Sequence, residues 1–184
     1  MIKNTFLKGI LFTSIASIFW GLPQPLFFNE LNHINTFEIV LHRGLWSFIF
    51  LFLILLTVSN LNEFFNLFKS FKKIFVLTIT ACLITSNWAG FIYAVGQERV
   101  QDASMGYFIT PMISIILGNI FFNEKITKYK TISVLLMFLA IVYLFITLRE
   151  IPILIILIGS TWAIYGLLRK HIMVTPSTGL LYET

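Results

Sequence analysis

The sequence predicts an all-α polytopic membrane protein, and three observations carry that reading. Hydrophobic residues fill 58% of the 184 positions while only 11% are charged, roughly half the charged share of a soluble domain. The apolar residues gather into six runs of about 20 residues, the length that crosses a hydrocarbon core as a helix. The basic residues between those runs fall almost entirely on one side when the runs alternate through a bilayer. A water-soluble globule, a disordered segment and a separate soluble receptor, nucleotide-binding or enzymatic domain are thereby excluded.

The first run, 7–27, opens with Lys3 and Lys8 like a signal peptide. It is too long for one, and no small-x-small cleavage site follows, so it reads as an uncleaved helix. Pro23 and Pro25 are expected to stop it. Trp20, just inside that end, is either an interfacial belt residue or the wall of a cavity. The second run, 39–58, carries His42 and Arg43 four to five residues in, with Glu38 one turn before His42. Ionisable groups cost about 2.5–3.5 kcal/mol at the centre of a bilayer, so each needs a reason. One reason is a substrate or proton site near the outer vestibule, with Arg43 suited to a carboxylate or phosphate. The other is that Arg43 snorkels to the headgroups while Glu38 and His42 satisfy one another.

Between the second and third runs, from Asn60 to Lys73, positions 61, 64, 65, 68 and 71 are apolar and 62, 63, 66, 69, 70 and 73 are polar. This spacing predicts a short helix in the headgroup plane. The third run, 74–95, has a small-residue stripe of Thr78, Ala81, Cys82, Thr85 and Ala89, expected to be a packing face. Asn87, beside Trp88, is a buried amide that needs partners. In the fourth run, 105–122, a single face carries Ser104, Tyr107, Pro111, Ser114 and Gly118. Pro111 frees the carbonyl four residues earlier, which suits a substrate path and a closely packed kinked helix equally. The fifth and sixth runs are 131–148 and 151–168.

One side of the bundle receives Lys3, Lys8, Lys69, Lys72, Lys73, Lys125, Lys128, Lys130, Arg169 and Lys170, and the other only Arg99 and Arg149. The positive-inside rule then predicts a cytoplasmic N-terminus. It also accounts for the net charge of +5 without nucleic acid. One cysteine, Cys82, makes no disulfide within the chain, and His33, His42 and His171 have no metal-ligand spacing. No metal or cofactor is implied. An enzyme using Glu38 and His42 as an acid/base pair would lack a nucleophile or metal within reach.

The segment Ser14 to Leu22 is similar to Gly159 to Leu167, an offset of 145 residues that pairs Trp20-Gly21 with Tyr165-Gly166. Five helices separate the copies, so they run in opposite directions, the mark of an inverted-topology repeat. On that reading residues 1–148 are one five-helix repeat and 151–184 begin a second. His42 and Glu183 then occupy equivalent positions, and inversion predicts that they sit 15–20 Å apart along the membrane normal, as parts of opposite gates.

Several motifs carry a family resemblance: His42-Arg-Gly-Leu-Trp-Ser47; Asn87-Trp88 with Phe91; Ala103-Ser-Met-Gly-Tyr-Phe-Ile-Thr-Pro111; Leu117-Gly118 with Glu124; Tyr165-Gly-Leu-Leu-Arg-Lys170; and Thr178-Gly179 with Glu183. Collinear over essentially the whole chain, they resemble the RarD family of EamA-like permeases in the drug/metabolite transporter superfamily. The resemblance implies ten helices in an inverted five-plus-five arrangement in the bacterial inner membrane, moving a small metabolite or drug-like solute by alternating access. It also implies that the chain lacks most of helix seven and all of helices eight to ten. A homodimer or a second polypeptide supplying those helices, or an accessory subunit without transport of its own, are the associated expectations. Two departures stand out. Phe28 occupies a position usually basic in the family, and Asn123 one usually glycine. The residues expected to line a pathway are Trp20, His42, Arg43, Asn87, Trp88, Tyr107 and Pro111, the polar, aromatic and kinking side chains of the first four spans.

Overall fold

Backbone polar groups cannot be left unpaired in hydrocarbon, and a chain this apolar satisfies them by folding into helices joined by short turns. The computed structural model describes the backbone of residues 2–57, 61–148 and 153–184, and the side chains from Phe6 onward except Leu148. Among these residues the helices are α1 (Ile2–Gly21), α2 (Pro23–Glu30), α3 (Thr36–Thr57), α4 (Leu61–Leu67), α5 (Phe71–Gly96), α6 (Val100–Phe122), α7 (Lys128–Leu148), α8 (Ile153–His171) and α9 (Pro176–Glu183). Six stretches are long and apolar enough to cross a membrane, with α1 and α2 forming one of them. The chain is a multi-pass membrane protein. Val58, Asn60, Arg149 and Ile151, where some expected boundaries and charges fall, lie outside the described residues.

The prolines do not stop the first span. Leu22 keeps helical angles, φ −108° and ψ −67°, and its N–H donates to the Ile18 carbonyl at 3.0 Å. Pro23 then opens α2, since a residue without an N–H and with φ preset near −65° fits the first helical turn. The fourth span also begins earlier than its apolar run, at Val100. Asp102 lies in that first turn, where a carboxylate favours the helix dipole, and it accepts a 2.7 Å hydrogen bond from Arg99 Nε. At the other end of α6, Asn123 adopts the left-handed conformation, φ 50° and ψ 33°. That geometry explains why glycine is usual there, and asparagine tolerates it better than most other side chains.

The core is the seating of α8 in a groove between α5 and α6, the closest packing in the molecule. Glycines make it possible. A Cβ on Gly159 would stand 2.7 Å from the Gly106 carbonyl oxygen, and one on Gly106 would stand 2.8 Å from Ile158 Cβ. Gly90 of α5 faces the same helix, its Cβ position 3.3 Å from Ile158. The small stripe expected to pack α5 does not do so: Thr78, Cys82 and Thr85 are exposed, with Ala81 and Ala89 half-buried. The buried face of α5 is instead Leu77, Thr80, Ile84, Asn87, Trp88 and Phe91. The small residue that α5 does bury against α8 is Gly90, which lies outside that stripe.

Apolar clusters form toward both ends of the bundle. One, with Phe28, Ile39, Val40, Phe91, Val95 and Ile158, lies at the lysine-poor end. The other joins Leu67, Leu77 and Ile172, with Phe64 and Tyr182 packed on it, at the lysine-rich end. Here α4 is helical as the pattern requires, and Phe65, Phe68 and Phe71 stay exposed, as a helix resting in the headgroups needs. Glu63 does not share the outward polar face assigned to it. Its carboxylate accepts from the Thr175 N–H at 3.0 Å, the Thr175 hydroxyl at 2.6 Å and the Thr178 hydroxyl at 3.1 Å. It thereby satisfies the open N-terminus of α9, whose dipole favours a negative charge. Burial works against that charge, but the bonds from Thr175 and Thr178 and the nearby Lys73 hold the carboxyl below its ordinary range. By contrast α1 and α7 bury no residue in their apolar windows.

The glycine crossing yields a direct comparison. Gly159→Ala should destabilise the bundle by about 1–3 kcal/mol through overpacking, whereas Gly9→Ala, with nothing within 4 Å of its new methyl, should leave stability unchanged; thermal unfolding in detergent reads both.

Candidate functional site

Six of the seven side chains picked out from the sequence meet in one connected cluster or its adjoining groove. Asn87 is the fixed point. Fully buried on α5, its Nδ2 donates to the Ile158 carbonyl at 2.8 Å and to Thr161 Oγ1 at 3.1 Å, both on α8. The Tyr107 hydroxyl on α6 donates to Asn87 Oδ1 at 3.1 Å. One amide therefore ties three helices together, with both its donors and its acceptor in use.

Aromatic rings extend outward from that knot. Trp20 meets Tyr107 edge-on at 6.3 Å and Trp162 at 5.8 Å, and Trp162 stacks on Tyr165 at 5.3 Å. On the other side Tyr107 contacts Phe91 at 6.0 Å, and Phe91 meets Phe28 at 6.2 Å. Trp20 divides two grooves. One, of about 900 Å³, runs between α1, α2 and α3 and is lined by Gln24, Glu38, His42, Arg43 and Trp46 among others. The second, of about 650 Å³, runs between α1, α6 and α8 past Ser17, Tyr107 and Trp162. Trp20 lines both grooves.

Arg43 folds against aromatic rings. Its guanidinium carbon lies 4.1 Å from the centre of the Trp88 ring and 5.8 Å from that of Phe28, cation–π contacts that are worth about 2 kcal/mol or more once desolvated. Phe28, at the position usually basic in the resembling family, thus gives Arg43 an aromatic face where a second cation would repel it. Arg43 Nη1 and Trp88 Nε1 are both buried with no acceptor among the described residues, at a cost of roughly 1–3 kcal/mol each. Glu38 and His42 share the large groove with Arg43, and no hydrogen bond joins the two among the described residues. Pro111 stands apart, exposed on an unbroken α6 and lining neither groove.

A second polar centre, around Glu183, sits deeper toward the lysine-rich end. Its Oε1 accepts from Thr80 at 2.6 Å and its Oε2 from the Tyr165 hydroxyl at 2.9 Å, with Arg169 Nε 3.6 Å away. Gly179 leaves room for the Arg169 guanidinium, since a Cβ there would overlap it. The 15–20 Å separation expected between the site of His42 and Arg43 and that of Glu183 is not found. A Cβ on Gly44 would lie 3.3 Å from the Thr184 carbonyl oxygen, so the next residue along from each is in contact. Each group already stands about 10 Å inside its own helix end at 1.5 Å per residue, and α3 packs against α9. At the lysine-rich rim Lys170 bridges α8 to α6 by pairing with Glu124 at 2.5 Å. That hydrogen bond and charge hold the Glu124 carboxyl below its ordinary range.

Sequence reading missed Thr80, Thr161 and Trp162. The signal for the last two was available, because Thr161, Trp162 and Tyr165 lie within the segment that pairs with the Trp20 region at an offset of 145.

The arrangement is that of a polytopic helical membrane protein with solute-sized, aromatic-walled grooves between its spans. The chain belongs to the EamA-like transporter family, which matches residues 7–146. It is 35% identical to protein RarD of Salmonella typhi and 34% identical to protein RarD of Escherichia coli, in each case over 96% of this chain and 60% of the relative. It is also 30% identical to the uncharacterized transporter YojE of Bacillus subtilis, with the same coverage. The chain thus spans about 60% of the length of these curated relatives. No solved structure matches it.

The Asn87 knot predicts a graded response. Asn87→Val should lower stability by about 1–3 kcal/mol, and Tyr107→Phe, which removes one neutral hydrogen bond, by about 0.5–1.5 kcal/mol; denaturant unfolding in mixed micelles measures both.

Proposed function

We propose that the chain forms the first five-helix repeat and the opening helices of the second repeat of an inverted five-plus-five permease. Placed in the bacterial inner membrane with its N-terminus cytoplasmic, the permease moves a small metabolite or drug-like solute by alternating access. The observation that carries this reading is the roughly 900 Å³ groove between α1, α2 and α3. It combines an aromatic wall with Glu38, His42 and Arg43, as a solute site needs an apolar body with a few placed polar groups. Two further features support it. Basic side chains collect where α5, α7 and α9 begin, and α3 packs against α9, the helices that the repeat makes equivalent. Trp20, His42, Arg43 and Tyr107 are the pathway residues on this reading, with Trp88 behind Arg43 and Asn87 holding the helices that carry them. Pro111, exposed on α6, lies outside both grooves.

The exposed spans α1 and α7 are faces that further helices of the same permease would cover. They also favour one other reading, an accessory subunit that packs against a transporter without moving solute itself.

Transport by a complete protein carrying this sequence distinguishes the two. In proteoliposomes, Arg43→Ala and Trp20→Ala should each lower solute flux by at least about tenfold at equal expression and folding. The 184-residue chain reconstituted alone should move nothing. Unchanged flux in both variants, or flux from the chain alone, would contradict the permease reading as drawn.

A further inference from the structure

Charged groups inside a membrane protein are ordinarily paired, and Arg43 has no ion-pair partner among the described residues. Arg169 faces Glu183 at 3.6 Å, and Lys170 pairs with Glu124. Arg43 is different: its guanidinium lies over the rings of Trp88 and Phe28. Those rings stabilise the positive charge but accept no in-plane hydrogen bond. Arg43 Nη1 and Trp88 Nε1 have no acceptor among the described residues; Arg169 Nη1 has none either, but its guanidinium faces the Glu183 carboxylate. Arg43 also lines the large groove, together with the aromatic side chains of Trp20, Phe27, Trp46 and Phe50.

We infer that Arg43, framed by Trp88 and Phe28, is the recognition point for the carboxylate of an amphipathic monoanionic solute. This rests on the permease reading above and narrows its substrate class. A carboxylate supplies two acceptor oxygens in one plane, which matches the planar fork of a guanidinium better than the single oxygen of an alcohol or ether. The aromatic wall receives the apolar body. Glu38 lines the same groove and repels a second negative charge, which favours a monoanion over a dicarboxylate or a phosphate dianion. The position of Arg43, about 10 Å inside α3 at 1.5 Å per residue, and its fold over Trp88 direct it to a solute in the groove rather than to a lipid headgroup.

The test is equilibrium binding of radiolabelled benzoate to the purified chain in nanodiscs of uncharged lipid, with benzamide as its neutral counterpart. Benzoate should bind at least about tenfold more tightly than benzamide. Arg43→Gln should remove that preference, Arg43→Lys should restore part of it, and Trp88→Phe, which keeps the ring and deletes the N–H, should weaken benzoate alone by several-fold. Helical circular dichroism and a single size-exclusion peak confirm that each variant is folded. Equal binding of benzoate and benzamide, or benzoate affinity that survives Arg43→Gln, would overturn the inference, as would loss of the preference when phosphatidylglycerol is added, which would mark Arg43 as a lipid contact. Binding is read without flux, so the two proposals fail separately. A complete permease that moves only neutral solutes removes this inference and keeps the transport reading, whereas charge-selective binding without flux does the reverse.

Discussion

A side-chain amide with no access to water must find protein partners, and Asn87 finds them on two other helices at once. Its bonds to Ile158 and Thr161 on α8 and from Tyr107 on α6 fix the rotation of all three helices about their axes. In lipid, apolar contact alone discriminates poorly between helix faces, because acyl chains are as apolar as leucine. A polar knot and a glycine crossing supply the discrimination instead. Once α8 is set in the groove between α5 and α6, the glycines at 90, 106 and 159 permit the close approach, and Trp162 and Tyr165 are carried to the positions where they meet Trp20. The aromatic wall of both grooves thus depends on an amide that lines neither.

The charges obey the same constraint in different ways. Glu183 is paired with hydroxyls and a guanidinium, Glu63 neutralises a helix terminus at the membrane surface, and Lys170 and Glu124 close the rim. Arg43 is left among rings with donors to spare. Arg169 also keeps one buried donor without an acceptor among the described residues, but it faces a carboxylate; a guanidinium with no carboxylate beside it is the kind of asymmetry expected at a binding position, where the missing partner comes from the solute.

Much of this was legible in the sequence, and the failures have physical causes. Span number and membrane character followed from composition and run length, and Asn87 and Trp88 were recognised because a buried amide requires an explanation. Arg43 was found as an ionisable residue inside a span, and Tyr107 on the polar face of the fourth run. The small stripe of Thr78, Cys82 and Thr85 misled because residue size says that a close approach is possible without saying where it is made; the close approach falls at Gly90, Gly106 and Gly159. Pro23 misled because proline ends one helix and begins the next with equal ease. Glu63 was placed outward by its periodicity, which carries no information about a helix terminus more than 100 residues along the chain. The Arg43 and Glu183 levels were set too far apart because counting from helix ends ignores how far each group has already penetrated.

The central claim is that α8 is locked into the groove between α5 and α6 around Asn87. Disulfide cross-linking in native membranes tests it most directly, using cysteines at Gly90 and Ile158 in a Cys82→Ser background. Gly90 and Ile158 stand in side-chain contact, the Cβ position of one 3.3 Å from a side-chain atom of the other, so the account predicts rapid cross-linking that Asn87→Val slows. Absence of a cross-link under oxidation, with cysteines at 90 and on the exposed face of α1 joining instead, would contradict it.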